Sequence, residues 1–358
     1  MTGLRAVAAF WVVGFHFYTS LAELLPPIGG FLTTVFKPGY LGVDLFFLLS
    51  GFIIAYNYQD KFVTFRLSAY TEFLWARIAR LYPVHFVTLF ACLVLYFGAV
   101  LTNSHLRTAA TNWGGLDFIL NLFMIQAWTL SHHPSWNFPS WSISCEWLAY
   151  LFFPILAALI ARIKTRTGYQ VLVALLLLGY PALGLLLSNF GRSMWIFVPI
   201  AFEFTAGVTL FQLFRLRRAL DKSAEPFWQP LSALILLVAF VGCANFNLRE
   251  AWLIPVLAMN LYFLAVDDSG PVSRVLKSRL ACYWGRVSYS LYMVHAVVSM
   301  VLVRLIPLNS FDGSALILRL AVCLCYFGTI VIVAALVYHL IENPSRYWIR
   351  RMYPRKSA

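Results

Sequence analysis

The chain has 358 residues, of which 61% are hydrophobic and 11% charged, and its mean hydropathy is +0.77. Soluble domains carry roughly 25% charged residues, so an ordinary soluble fold is excluded and lipid is the solvent for most of the chain. The formal net charge of +13 would suit nucleic acid, but the basic residues fall in short clusters between apolar runs. That is the positive-inside pattern of a membrane protein, so membrane lipids are the expected surroundings and nucleic acid is not an expected partner.

Backbone groups inside a bilayer must be satisfied within their own segment, which makes helices the expected spanning elements. Apolar windows predict spans near 4–22, 39–58, 82–101, 141–161, 170–188, 194–212, 230–244, 251–267, 281–303 and 316–338. The expected fold is therefore all-α and polytopic, with about ten transmembrane helices. The first run carries Arg5 and His16 and has no small-residue cleavage site before Pro26, so it reads as a retained helix rather than a signal peptide. The stretch Leu116–Leu130 holds Asp117, Asn121 and Gln126 and is short for a span. With ten spans and the amino terminus inside, 21 of the 27 Lys and Arg residues fall on the inner side, and Lys37, Arg107, Arg192, Arg249, Arg304 and Arg319 fall outside. Counting Leu116–Leu130 as a span would destroy that asymmetry. It is expected to be a re-entrant or interfacial helix on the outer side, with both termini cytoplasmic. Cys92, Cys145, Cys243, Cys282, Cys323 and Cys325 show no CxxC pairing, so they read as packing residues, and no metal site or disulfide framework is expected.

Ionisable residues within spans are costly, so each is a functional candidate, with an interhelical structural pair as the alternative use. Arg5 and His16 are 11 residues apart, which puts them on one helix face roughly 16 Å apart in height. A histidine exchanges protons near neutral pH and suits a general base for a hydroxyl nucleophile; a hydrogen-bonded structural histidine is the alternative. Asp44 lies about 8 Å below the outer end of the second span, and Glu146 enters the fourth span from the same side. His16 and His295 also come out in the outer half, so four ionisable groups are expected in one layer. A carboxylate beside a histidine would orient it and stabilise its imidazolium. Glu203, midway along the sixth span, and Ser50 in the second are further candidates.

On the inner side, Trp75-Ala-Arg77-Ile-Ala-Arg80-Leu-Tyr-Pro83 sets two arginines at i and i+3, projecting from one helix face. Paired guanidinium groups suit a multiply charged phosphate donor, with lipid-headgroup anchoring as the alternative.

Seven stretches in this order resemble the acyltransferase 3 family of integral membrane acyltransferases. They are Gly3-Leu-Arg5 through His16; Gly42-Val-Asp44 through Ser50-Gly51-Phe52; Arg77-Ile-Ala-Arg80-Leu-Tyr-Pro83; Trp141-Ser-Ile-Ser-Cys-Glu146; Glu203-Phe-Thr-Ala-Gly207; Ser288-Tyr-Ser-Leu-Tyr-Met-Val-His295; and Ile341-Glu342-Asn-Pro344. The resemblance implies a ten-helix core over residues 1–345 followed by a short basic cytoplasmic tail, 346–358. It also implies a place in a bacterial inner membrane, acetyl-CoA or another acyl-CoA as donor, and a surface, exported or lipid-linked saccharide as acceptor. His16 would be the essential catalytic residue, with Glu146 and Asp44 beside it, and Arg5, Arg77 and Arg80 would hold the donor.

Three departures from the pattern stand out. The lead-in before Leu4-Arg5-Ala6 is nearly absent, as a late start site would make it. The second acidic residue often found after Glu146 is Trp147, which leaves any carboxylate role there to Glu146 alone, and Asn343 follows Glu342 where a basic residue is commoner. No fused carboxy-terminal esterase-like domain is expected, because the chain stops about 20 residues after the last span. A transporter whose buried charges line a substrate path is the rival reading, weakened by the absence of an inverted repeat. A catalytically dead polymer-assembly subunit is a third.

Overall fold

A computed structural model of the chain describes residues 1–104, 112–128, 134–186, 196–219, 227–246, 249–267, 269–311 and 313–353. Arg107, Arg192, Lys222, Arg355 and Lys356 of the charge count lie outside the described residues. So do the span ends at 187–188 and 194–195, residues 129–130 of the Leu116–Leu130 stretch, and 354–358 of the expected tail.

Among the described residues every regular element is helical. In chain order these are α1 (Thr2–Leu24), α2 (Pro26–Phe36), α3 (Leu41–Tyr58), α4 (Leu67–Leu101), α5 (Gly115–Leu122), α6 (Trp141–Ala161), α7 (Arg166–Leu186), α8 (Val198–Ala219), α9 (Trp228–Phe246), α10 (Leu253–Val266), α11 (Pro271–Leu276), α12 (Arg279–Leu305), α13 (Leu316–Val337) and α14 (Asn343–Met352). A π-helical turn, Tyr338–Glu342, joins the last two. Seven helical segments among the described residues are long and apolar enough to cross a membrane, and α9 and α10 are apolar but shorter. The predicted span 194–212 falls on α8. The questioned stretch Leu116–Leu130 yields only α5, whose 8 residues reach about 12 Å, well short of a bilayer core. Part of the expected tail is helical, as α14.

The chain divides into two compact units. Unit 1 comprises Met1–Ala8, Tyr40–Tyr70 and Leu148–Arg286; unit 2 comprises Ala9–Gly39, Thr71–Trp147 and Val287–Ala358.

Unit 1 is built around α3 and α8. Leu48 meets Gly207, Phe52 meets Phe211, Tyr56 meets Phe214 and, just beyond α3, Asp60 pairs with Arg215, so residue numbers rise together and the two helices run parallel. Lipid tails are as apolar as leucine, so helices in a bilayer gain little by hiding apolar surface from it; close van der Waals packing across small residues holds them instead. A Cβ at Gly51 would overlap the Phe204 carbonyl oxygen, and one at Gly207 would overlap that of Leu48. The two glycines are thus required by the close crossing, which accounts for their places in the Ser50-Gly51-Phe52 and Glu203–Gly207 stretches. Helices α7 and α10 pack against α8, and α9 against α10.

Unit 2 is organised by the part of α12 from Val287 onward. Tyr289 Oη donates to the Leu81 carbonyl on α4 at 2.6 Å, Ser290 Oγ to Glu342 Oε2 at 2.6 Å, and Tyr292 Oη to the Pro139 carbonyl at 2.8 Å. Three polar residues of the Ser288–His295 stretch therefore each tie α12 to a different neighbour. Trp136 is buried among Tyr96, Trp113 and Phe118, with ring centroids 5.6, 5.2 and 5.0 Å away, and adopts a positive φ of 49°. That conformation is uncommon for a bulky residue and is held here by its aromatic cage. It turns the chain so that Asn137 Nδ2 donates to the Met293 carbonyl at 3.0 Å and Phe138 follows directly.

Candidate active site

In unit 2, α1 and α12 bring His16 and His295 together. Their rings stack with centroids 4.9 Å apart and planes inclined by 28°. Phe15 and Phe138 meet the edges or faces of the His16 ring, each with a centroid distance of 5.1 Å. His16 is exposed at the surface of the chain although protein atoms surround most of it. His295 is buried, at 1% exposure.

The local bonds fix the chemistry of His295. Its Nδ1 lies 2.6 Å from the Tyr292 carbonyl oxygen, which can only accept, so Nδ1 carries the hydrogen. Nε2 in the neutral ring is then a bare acceptor, and it has no hydrogen-bond partner. Tyr292 is held in turn by Pro139 and by Ser142 Oγ at 2.7 Å. Glu146, half-buried on α6, lies within electrostatic range of Tyr292. Nothing in the residue types marked Tyr292 or Phe138 as part of this arrangement. The signal was the i, i+3 spacing of Tyr292 and His295, which puts the tyrosine on the histidine's helix face.

Asp44, Glu203, Ser50 and Arg5 belong to unit 1. The buried carboxyl groups of Asp44 on α3 and Glu203 on α8 lie within electrostatic reach of one another. The glycine-paired crossing of α3 and α8 brings them together. The partner the structure assigns to Asp44 is thus Glu203. Ser50 Oγ lies 3.0 Å from Tyr150 Oη and ties α3 to α6. Arg5, half-buried, shares electrostatic range of the Met1 amino group with Lys277.

Arg77 and Arg80 project half-buried from α4 in unit 2, as their spacing predicts. Both lie within electrostatic range of Arg346 on α14, and Arg80 also within range of Glu342. Sequence spacing had no means of finding that arrangement, since 266 residues separate Arg80 from Arg346.

Comparison with known proteins identifies the family of the chain. The family profile described as an acyltransferase domain, that of the acyltransferase 3 family, matches residues 1–339. The chain is 26% identical to the acyltransferase MdmB of Streptomyces mycarofaciens, covering 100% of this chain and 94% of that protein. A Staphylococcus aureus protein named provisionally as an O-acetyltransferase is 25% identical over 97% of this chain and 57% of its own length. A Bacillus subtilis protein named provisionally as a peptidoglycan O-acetyltransferase is 26% identical over 99% of this chain and 56% of its own length. The chain therefore spans little more than half of these two longer relatives. No solved structure matches it. The rival expectation of transport without chemistry is set aside: the chain belongs to the acyltransferase 3 family and is an all-helical, multi-pass membrane acyltransferase.

Proposed function

We propose that the protein transfers an acyl group, acetyl in the simplest case, from a cytoplasmic acyl-CoA to a hydroxyl of a surface, exported or lipid-linked saccharide. It would do so from a bacterial inner membrane, with ten spans and both termini cytoplasmic. The observation that carries this reading is the stacked histidine pair, in which one ring is accessible and the other presents a bare nitrogen. An acyl transfer to a hydroxyl needs a proton acceptor beside the nucleophile. The provisional O-acetyltransferase names of the relatives, one of them for peptidoglycan, support a saccharide hydroxyl as that nucleophile.

In this reading His16 takes the proton of the acceptor hydroxyl as its oxygen attacks the thioester carbonyl. The new C–O bond forms, the C–S bond breaks, and the departing CoA sulfur takes the proton back from the His16 imidazolium. His295, stacked on it, fixes the plane of the His16 ring. Glu146, in the same unit, stabilises the imidazolium. Arg77 and Arg80 hold the phosphates of CoA, whose charge and geometry suit guanidinium groups.

The test uses membranes supplied with acetyl-CoA and a glycan acceptor. CoA release and O-acetylation of the glycan should appear together, and His16→Ala should abolish both while membrane abundance stays unchanged. Retained acetylation in that variant would overturn the assignment.

A further inference from the structure

The paired arginines of α4 are one side of a larger cationic site. Trp75 Nε1 on α4 donates to the Ile349 carbonyl at 2.6 Å, and Thr71 Oγ1 lies 2.8 Å from Tyr353 Oη. Residue 71 thus pairs with 353 and residue 75 with 349, so α4 and α14 run antiparallel in a fixed register. Carried on by one helical turn, that register sets Arg346 level with Ile78, between Arg77 and Arg80. Electrostatics agree independently, since Arg346 is within range of Arg80, Arg350, Arg77 and Glu342. Arg350, four residues on, shares the helix face of Arg346. Arg351 does not join them: its guanidinium lies over the Tyr347 ring, 4.9 Å from the centroid, and donates to Tyr347 Oη.

Arg77, Arg80 and Arg350 therefore gather around Arg346, and of these four guanidinium groups Arg80 and Arg346 lie within range of one carboxylate, Glu342, which is 2% exposed and anchored by Ser290. One carboxylate leaves a net cationic field there, which a group with several negative charges would satisfy. The junction is built to aim α14. Pro344 has no N–H to continue the helical ladder, and the π turn Tyr338–Glu342 absorbs the break immediately before it.

We propose that α14 supplies the second wall of the donor's phosphate site, with Arg346 and, more weakly, Arg350 binding the phosphates opposite Arg77 and Arg80. This rests on the reading of acyl-CoA as donor and extends it to residues outside the part of the chain that the family profile matches. The same chemistry is offered by anionic lipid headgroups, and the experiment separates the two sources.

Full-length protein is placed in nanodiscs of phosphatidylcholine alone and of phosphatidylcholine with phosphatidylglycerol, and CoA and pantetheine binding are measured by calorimetry. Arg346→Gln should weaken CoA binding about ten- to a hundredfold in both membranes, as loss of a charge-assisted hydrogen bond does, and leave pantetheine unaffected. Arg350→Gln should weaken it about threefold, Arg351→Gln should not change it, and Arg346→Lys should restore part of the loss while confirming that the site folds. In turnover, Arg346→Gln should raise KM for acetyl-CoA with kcat nearly unchanged. Arg346→Gln and Arg346→Lys proteins that bind CoA as the wild type does overturn the proposal, and so does a variant that loses only phosphatidylglycerol. If Arg77→Gln weakens CoA binding and Arg346→Gln does not, the donor reading stands and this inference alone falls. A wild-type protein that binds no CoA overturns both.

Discussion

The molecule holds two pairs of like side chains, one half exposed and one buried, and they are built for different tasks. In unit 2, His16 and His295 stack, one ring exposed and the other fixed by a backbone carbonyl with its second nitrogen bare. In unit 1, Asp44 and Glu203 are both sealed, 6% and 0% exposed, in a crossing so close that two glycines are needed to form it. Both pairs come from short motifs of equal prominence in the sequence. Accessibility separates them, because a group that exchanges protons with a substrate must be reachable, whereas a sealed pair acts first on the packing of its own helices.

Breaking the open pair should have the largest effect. His16→Ala should reduce the rate of CoA release by about a thousandfold at unchanged membrane abundance, the scale expected for loss of a general base. Breaking the sealed interface comes next. Gly207→Ala drives a methyl group into the Leu48 carbonyl and should cost about 3 kcal/mol of stability, read as loss of folded protein in a thermal size-exclusion assay, with activity per folded molecule largely kept. His295→Asn keeps a donor near the Tyr292 carbonyl while deleting Nε2; it should lower kcat about a hundredfold without raising KM for the donor. The smallest effect is expected from Glu203→Gln. The amide keeps a donor of the same size facing the Asp44 carboxyl, so stability should change by less than about 1 kcal/mol and activity should stay within threefold. A large loss of activity in that variant would erase the distinction between the two pairs.

Particular residues show where the sequence was legible. His16 stood out because an imidazole in an apolar run is costly, and Arg77 and Arg80 because an i, i+3 spacing is a statement about one helix. The shared outer layer assigned to His16, Asp44, Glu146 and His295 was as far as depth alone could go, since depth says nothing about which helices are neighbours. The structure pairs His16 with His295 and Asp44 with Glu203. Gly51 and Gly207 read only as motif letters until each was found against the other helix's backbone. Residues assigned to a basic tail proved to begin with a helix registered on α4 through Trp75 and Thr71.

By itself the amino-acid order determined that the chain lies in a membrane, that it is helical and where most spans fall. Those properties follow from apolar content and backbone hydrogen bonding within one segment. It also marked the ionisable residues that lipid would not tolerate without a purpose. Only the tertiary structure decided which of them meet, which ring is open, which tautomer His295 holds and where Arg346 lies, because these depend on helix neighbours and register, and close packing sets both across long separations in the chain.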